Sequence, residues 1–165
     1  MGKGGDDMIC TFRQAERKDC PLILDFIRQL AVYEKMENDV VATVELLEEY
    51  LFDRNSAKVI FSVVEGKEVG FALYFNNFST FLGRSGLYLE DVFVLPEFRG
   101  RGIGKAILKK LAQIAIESGS GRFEWCCLDW NKPSIDFYLA LGAEPMDGWT
   151  TYRLSGETLK KVAGD

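Results

Sequence analysis

The residues from Leu87 to Lys105, LYLEDVFVLPEFRGRGIGK, have the composition of a phosphate-binding turn. An apolar strand pattern, which carries Glu90 and Asp91, leads through one proline into a glycine-rich turn and then into a helix pattern. Glycine lets a backbone approach a ligand closely, and the first turn of a helix presents unpaired N–H groups at the positive end of its dipole. We therefore expect a socket for the phosphate oxygens of a cofactor. Its three glycines are Gly100, Gly102 and Gly104.

Spacing separates the phosphate-binding motifs that this turn could represent. A P-loop requires four residues between its glycines and a Ser or Thr after its lysine, whereas Gly100 and Gly104 enclose three residues and an alanine follows Lys105. A dinucleotide fingerprint, G-x-G-x-x-G, fails because Lys105 occupies its third glycine position. The pattern Arg99-x-x-Gly102-x-Gly104 instead resembles the (Q/R)-x-x-G-x-(G/A) pyrophosphate signature of the GNAT acetyltransferases at every defined position.

The amino-acid composition excludes several kinds of active site. The chain has 165 residues and no histidine, which excludes Ser–His and Cys–His nucleophilic pairs and any histidine-ligated metal site. Four cysteines lack the spacing of disulfides or metal ligands, so we expect reduced, small core residues and no metal. Acid–base chemistry must then come from carboxylates, tyrosine, cysteine or lysine.

The length and the net charge of the chain limit its possible domain organisation and its possible partners. We expect a flexible segment over 1–8 and a single domain over 9–165. No apolar run approaches the ~20 residues that span a bilayer, and the polar opening MGKGGDDM lacks the apolar core of a signal peptide. We therefore expect a cytoplasmic protein with no membrane partner. The net charge of −5 disfavours nucleic acid as a partner and mildly favours a cationic substrate.

Hydrophobic periodicity and turn residues predict an α/β protein with the order β-α-α-β-β-β-α-β-α-β-α. The predicted strands are 9–15, 58–65, 68–75, 86–95, 122–128 and 149–154. The predicted helices are 20–36, 43–52, 102–118, 131–141 and 155–162. Asp19 and Thr43 are expected as helix caps, residues 76–86 as a loop, and Pro96 as the end of the central strand. This is also the element order of the GNAT fold, a mixed sheet with helices on both faces.

Further segments resemble one GNAT branch, the spermidine/spermine (diamine) acetyltransferases and their thialysine-acetylating relatives. They are LAVYEKME at 30–37, LYLEDVFVLPEFRGRGIG at 87–104, LDWNKPSIDFYLALGA at 128–143 and DGW at 147–149. The resemblance implies an enzyme that uses acetyl-coenzyme A, forms homodimers and acetylates a primary amine. Where polyamine enzymes carry Asp-Pro-Trp, this chain reads FSTF at 78–81, which is closer to the thialysine branch and leaves strict spermine specificity open.

The resemblance also implies which residues bind the cofactor. The backbone from Gly100 to Lys105 would hold the pyrophosphate, and the strand around Val92 and Val94 would pair with the peptide-like pantetheine arm and polarise the thioester. The side chains of those valines are expected in the core, and Asn131 also fits a helix N-cap. The full set is Val92, Phe93, Val94, Arg99, Gly100, Arg101, Gly102, Ile103, Gly104, Lys105, Asn131, Lys132, Pro133 and Ser134.

By the same resemblance, Tyr138 is the general acid that protonates the coenzyme A thiolate, for which a phenol with a pKa of ~10 is suited. Glu90 is matched to the group near the amine, where it acts through water as a base or as a cation site. Because neighbouring strand residues face opposite sides, only one of Glu90 and Asp91 should face the cleft unless a bulge re-aims both, and Asp91 is assigned a structural role. The substrate-binding set is Tyr33, Glu34, Glu90 and Asp147.

The sequence thus predicts transfer of acetyl from acetyl-coenzyme A to a small amine, by direct attack in a ternary complex. Diamines, polyamines and thialysine-like amino acids remain open as acceptors. Two alternatives also remain, a protein or peptide acceptor and a non-catalytic acyl-coenzyme A sensor.

Overall fold

The computed structural model describes residues 10–164. The predicted flexible segment 1–8 and Ile9, the first residue of the predicted opening strand, lie outside this range. Within it the chain divides into two compact units, one ending at Cys126 and the other beginning at Cys127. No helix in the described range is long and apolar enough to cross a membrane.

The first unit contains a mixed five-stranded sheet in the order β1-β2-β3-β4-β5. Neighbouring strands are antiparallel except for β5, which runs parallel to β4. The strands are β1 Thr11–Gln14, β2 Lys58–Val64, β3 Lys67–Ser79, β4 Arg84–Val94 and β5 Phe123–Trp125. The helices of this unit are α1 Cys20–Glu34, α2 Val44–Glu48, which continues as a π-helical segment Glu49–Asp53, and α3 Ile103–Glu117. The second unit contains α4 Lys132–Ala140 and α5 Gly156–Ala163.

The sheet is covered on both faces. Consecutive residues of β2, Val59, Ile60 and Phe61, are all at most 4% exposed, although successive strand residues point to opposite sides. On the α1 face, the ring of Phe26 packs against three strand phenylalanines. Ring centroids lie 6.1 Å from Phe61, 5.3 Å from Phe71 and 6.3 Å from Phe93. This aromatic cluster fixes α1 over β2, β3 and β4.

Several local predictions are confirmed. Thr43 caps α2, since its hydroxyl accepts a hydrogen bond from the Leu46 N–H at 3.2 Å. Pro96 follows the end of β4 and opens a single 3₁₀ turn.

Asp19 occupies the N-cap position of α1, but its carboxylate does not cap the helix as predicted. It accepts instead from the Arg13 guanidinium, at 2.7 and 3.0 Å, and from the Glu16 N–H at 2.7 Å.

The loop predicted over 76–86 is wrong at both ends. β3 continues to Ser79 and β4 begins at Arg84, so the two strands form a long hairpin with a four-residue tip. Asn76 and Asn77 were interpreted as loop residues, yet they pair in register with Leu87 and Gly86. The Asn76 side chain also donates to the Gly86 carbonyl at 3.2 Å, so the polar residues extend the ladder.

The last predicted strand, 149–154, is also wrong, because these residues have no regular secondary structure. The sequence pattern predicted a strand here, but Trp149 is 76% and Tyr152 92% exposed. A strand needs a neighbour for its backbone groups, and within residues 10–164 the sheet ends at β5. The observed order is therefore β-α-α-β-β-β-α-β-α-α.

The four cysteines are free thiols, as the sequence predicts, but only Cys20 is a buried core residue. Cys10 and Cys127 are half-buried and Cys126 is exposed. The predicted strand over 122–128 ends at Trp125, so neither Cys126 nor Cys127 lies on a buried strand.

The aromatic cluster generates a stability prediction. Phe26→Ala should lower the free energy of unfolding by roughly 3–5 kcal/mol, because it removes a buried ring and leaves a cavity. The matched control is Phe81→Ala, at a side chain that is 95% exposed, and it should change stability by less than about 0.5 kcal/mol. Urea denaturation followed by circular dichroism measures both, and equal losses in the two variants would contradict the assigned core.

Candidate active site

A β-bulge in β4 lies at the two acidic residues. Leu73 of β3 is opposite Asp91, whereas the next residue, Tyr74, is opposite Leu89. Glu90 is therefore the extra residue on β4, and a bulge of this kind re-aims side chains. The alternation of faces that the sequence suggests does not hold across this position.

The bulge places Asp91 on the α1 face of the sheet. Its partner Leu73 packs against the aromatic cluster around Phe26, and Asp91 lines a pocket together with Glu34 at the end of α1. Glu90, in contrast, is exposed and is not among the residues that line this pocket. The structure thus brings Asp91 to Glu34, the carboxylate that the resemblance assigned to the substrate.

The pocket has a volume of about 180 Å³ and combines apolar walls with carboxylates. Its lining residues are Ile27, Leu30, Ala31, Glu34, Met36, Asp39, Val40 and Asp91. Burial, together with the neighbouring negative charges of Glu90 and Glu34, raises the pKa of Asp91 to about 6. Burial also raises the pKa of Glu34 above its ordinary value. In both carboxyl groups burial is the main cause of the raised pKa, and no basic side chain of the described residues lowers either pKa.

Arg99 connects the glycine turn to α1 and β4. Its Nε donates to the Val94 carbonyl at 2.9 Å. Its guanidinium lies over the rings of Tyr33 and Phe93, 4.9 and 5.1 Å from their centroids. Sequence reasoning assigned Arg99 to the cofactor and Tyr33 to the amine, and the structure places the two side chains in contact. The side chain of Arg99 therefore links the start of the glycine turn to α1 and to β4.

The glycine turn is open where a ligand would approach. Gly100 and Gly102 have φ angles of +72° and +80°, a region that other residues rarely adopt. A Cβ built on Gly100, Gly102 or Gly104 would meet no atom within 4 Å. Gly102 is the N-cap of α3, and no side-chain cap hydrogen bond is made there. These features fit a pyrophosphate group, which needs N–H donors and room for backbone approach. The exposed side chains of Arg101 and Lys105 add positive charge.

β4 has an open edge beside this turn. In the described part of the chain, β5 pairs with β4 only over Leu87–Leu89. Val92 and Val94 pair with Ala72 and Gly70 of β3 on the other side. The two valines are half-buried rather than core, whereas Phe93 is buried. A strand edge without a neighbour is suited to a peptide-like ligand, which is what the pantetheine arm requires.

The remaining predicted site residues lie in the second unit. Asn131 is 7% exposed and caps α4, its side-chain oxygen accepting from the Ser134 N–H at 3.4 Å. Lys132 is exposed and pairs with Asp136 at 2.8 Å, and the predicted Pro133 lies in the first turn of the helix. Tyr138 is half-buried on α4, with its ring centroid 5.4 Å from that of Phe137. Asp147 is exposed in the segment between α4 and α5.

The pocket contains functional candidates that sequence reasoning missed. Asp91 was assigned a structural role, and Met36, Asp39 and Val40 were not assigned at all. Met36 lies in the segment LAVYEKME that carries the resemblance, whereas the only sequence signal for Asp39 and Val40 was their position shortly after α1, where the chain must turn back over the helix end. The signal for Asp91 was the pair of adjacent acids, whose faces depend on the bulge.

Comparison with known proteins identifies relatives of this arrangement. The sequence matches the Acetyltransferase (GNAT) family over residues 24–143. It is 39% identical over 164 residues to the thialysine N-epsilon-acetyltransferase of Sus scrofa, covering 92% of this chain and 96% of that protein. It is 29% identical over 204 residues to the L-ornithine N5-acetyltransferase NATA1 of Arabidopsis thaliana, covering 96% and 90%.

A solved structure, an integron cassette protein from the mobile metagenome of V. cholerae, superposes with a TM-score of 0.80 at 29% identity. The superposition covers 96% of this chain and 99% of that one. The family match spans most of the chain and includes the bulge, the glycine turn and α4. The chain therefore belongs to the GNAT acetyltransferase family, and it is an acetyl-coenzyme A-dependent amine N-acetyltransferase.

Proposed function

We propose that this enzyme acetylates a primary amine of a small molecule, a diamine, a polyamine or a thialysine-like amino acid, by direct attack in a ternary complex. The observation that carries the proposal is the pocket of apolar walls and carboxylates beside the β4 bulge. Its two half-buried carboxylates, Asp91 and Glu34, suit a positively charged alkylamine. The relatives named for thialysine and L-ornithine support a small amine as acceptor.

The glycine turn and the β4 edge would hold the cofactor. Backbone amides of Gly100 to Lys105 bind the pyrophosphate, and the open edge at Val92 and Val94 binds the pantetheine arm. Asn131 and the first turn of α4 provide the second contact. When bound, acetyl-coenzyme A supplies an acetyl group activated as a thioester, and a backbone N–H of β4 polarises its carbonyl.

Carboxylates and one phenol would move the protons. A primary amine has a pKa of ~10.4 and reaches the enzyme as an ammonium ion, so it must lose a proton before it attacks. Glu90, exposed on the bulge, accepts that proton through water. Tyr33, Glu34 and Asp147 bind the rest of the amine. The Tyr138 hydroxyl donates a proton to the departing thiolate, a role that a phenol can perform.

The family match runs across the boundary between Cys126 and Cys127. We therefore propose that residues 9–165 act as one catalytic domain. The resemblance to the diamine acetyltransferases supports a homodimer in the cytoplasm. Size-exclusion chromatography with light scattering would test the oligomeric state, and cell fractionation would test the location.

Tyr138→Phe should lower kcat at least about 100-fold, the usual contribution of a general acid, while coenzyme A still binds. Coenzyme A release is measured with putrescine, spermidine, spermine, thialysine, lysine and a short peptide. The matched control is Tyr152→Phe, at a tyrosine that is 92% exposed, which should retain wild-type turnover. Full activity of Tyr138→Phe would contradict the assigned acid. Turnover on the peptide alone would indicate a protein acceptor, and cofactor binding with no turnover would indicate a sensor.

Gly102→Ala should weaken coenzyme A binding more than tenfold, because its Cβ enters the open cradle and its φ of +80° is strained for alanine. The matched control is Gly83→Ala at the β3–β4 hairpin tip, where φ is +64° and a Cβ also meets nothing within 4 Å. Both variants should lose roughly 1–2 kcal/mol of stability. Calorimetric titration with coenzyme A measures the difference, and unchanged affinity in Gly102→Ala would argue against a phosphate socket at this turn.

A further inference from the structure

The turn between β2 and β3 lies against the segment that leads into the glycine turn. The Leu95 N–H, directly after β4, donates to the Val69 carbonyl near the start of β3 at 2.9 Å. Lys67 is the first residue of β3, and its Nζ lies 5.6 Å from the centroid of the Phe98 ring. Phe98 ends the single 3₁₀ turn that precedes Arg99. A lysine that is distant in sequence therefore lies close to the start of the glycine turn.

Two cations contact the ring of Phe98. The guanidinium of Arg101, inside the glycine turn, lies 5.5 Å from the same ring centroid as Lys67. A cation within about 6 Å of an aromatic ring is attracted by the negative face of that ring. Both basic side chains are exposed, and the ring is half-buried. Phe98 thus brings together Lys67 and Arg101, the cation pair, from two different elements of the fold.

The cation pair has no acidic partner in the described part of the chain. The ion pairs among residues 10–164 form at other basic side chains, and neither Lys67 nor Arg101 takes part in one. Glu68, which follows Lys67, pairs with Arg13 at 2.8 Å instead. The two positive charges can therefore be neutralised by an anion from solution.

Positive charge is concentrated at this turn in a chain that is acidic overall. The 25 acidic residues of the chain outnumber its 20 basic residues. The segment 99–110 nevertheless contains five basic residues and no acidic residue, and Lys67 adds a further positive charge from another strand. A local excess of one sign raises the concentration of oppositely charged ligands.

Coenzyme A carries one phosphate group that the glycine turn does not account for. Its pyrophosphate requires the N–H donors and the close backbone approach that the glycines provide. The third phosphate is a monoester at the 3′ position of the ribose, and a phosphate monoester has a charge of about −1.5 to −2 at pH 7. Such a group suits a lysine, which binds phosphate as a point charge, together with an arginine, which binds it through a planar fork of donors.

We propose that the cation pair binds the 3′-phosphate of coenzyme A, and that Lys67 thereby selects coenzyme A over dephospho-coenzyme A, which lacks this group. The inference deepens the proposed function and rests on it, since the pyrophosphate must bind at the glycine turn to bring the ribose within reach. Lys67 is then a cofactor-specificity residue outside the glycine motif. Phe98 is a positioning residue that acts through the two cations.

A matched pair of ligands tests the assignment by calorimetric titration, which requires no turnover. Coenzyme A and dephospho-coenzyme A differ only in the 3′-phosphate, and the wild type should bind coenzyme A at least about fivefold more tightly. Lys67→Met keeps an apolar stem but removes the charge. It should reduce this preference about threefold, the effect expected of one exposed ion pair, while the affinity for dephospho-coenzyme A stays unchanged.

Two further lysine variants serve as controls for the loss of one charge. Lys58→Met removes an exposed lysine at the start of β2, at the end of the β2–β3 hairpin away from the turn, and it should keep the wild-type preference. Lys109→Met removes an exposed lysine of α3 and should keep it as well. Loss of the preference in either control, with full preference in Lys67→Met, would overturn the assignment.

Replacement of the ring separates positioning from net charge. Phe98→Leu leaves every charge in place but removes the ring that both cations contact, so the preference should fall about twofold. Thermal melting checks that this variant is folded. A full preference in folded Phe98→Leu would contradict the positioning role of the ring.

The same titrations distinguish failure of this inference from failure of the proposed function. Equal affinities of the wild type for the two ligands would overturn the assignment of the 3′-phosphate and leave the glycine turn as the cofactor site. Equal losses of affinity for both ligands in Lys67→Met would also overturn it. If no small amine is acetylated, the proposed function fails, but a threefold loss of preference in Lys67→Met still supports the cation pair.

Discussion

The register of β3 against β4 is the constraint on which the site depends. One extra residue, Glu90, changes which residues of β4 face α1. Leu87 and Leu89 are buried before the bulge, and Phe93 joins the aromatic cluster after it. The burial of these apolar side chains fixes the register. Asp91 is therefore held against α1 by the packing of its neighbours, at a position where an acid by itself would prefer water.

The fold was largely predictable because its signals are local and repeated. The apolar period of α1, the Thr43 cap and the proline after β4 each point to the observed structure. The absence of the strand predicted at 149–154 could not be foreseen, because a strand forms only beside another strand, and the alternation of residues does not show whether such a neighbour exists. Asn76 and Asn77 led to a wrong loop prediction for a similar reason. Their preference for loops is outweighed by backbone pairing with β4, which the sequence does not show.

Within the candidate site, too, some features could be predicted from the sequence and others could not. The glycine turn could be read from the sequence because its conformation requires residues of one type, and Gly100 and Gly102 do have positive φ. The sequence identifies the acidic pair but does not show which sheet face each acid occupies, because the faces of Glu90 and Asp91 depend on a bulge that has no sequence signature. The contact of Arg99 with Tyr33 joins residues 66 positions apart, and only the tertiary structure brings them together.

The short β5 has a consequence for the enzyme without its cofactor. β5 pairs with β4 over only three residues, and among the described residues Val92 and Val94 have a strand partner only in β3. An exposed strand edge is a template on which another chain can assemble. This part of β4 is thus a point at which the folded protein is prone to self-association. We expect the protein without a ligand to associate through this edge, and we expect any ligand that pairs with the edge to slow that association.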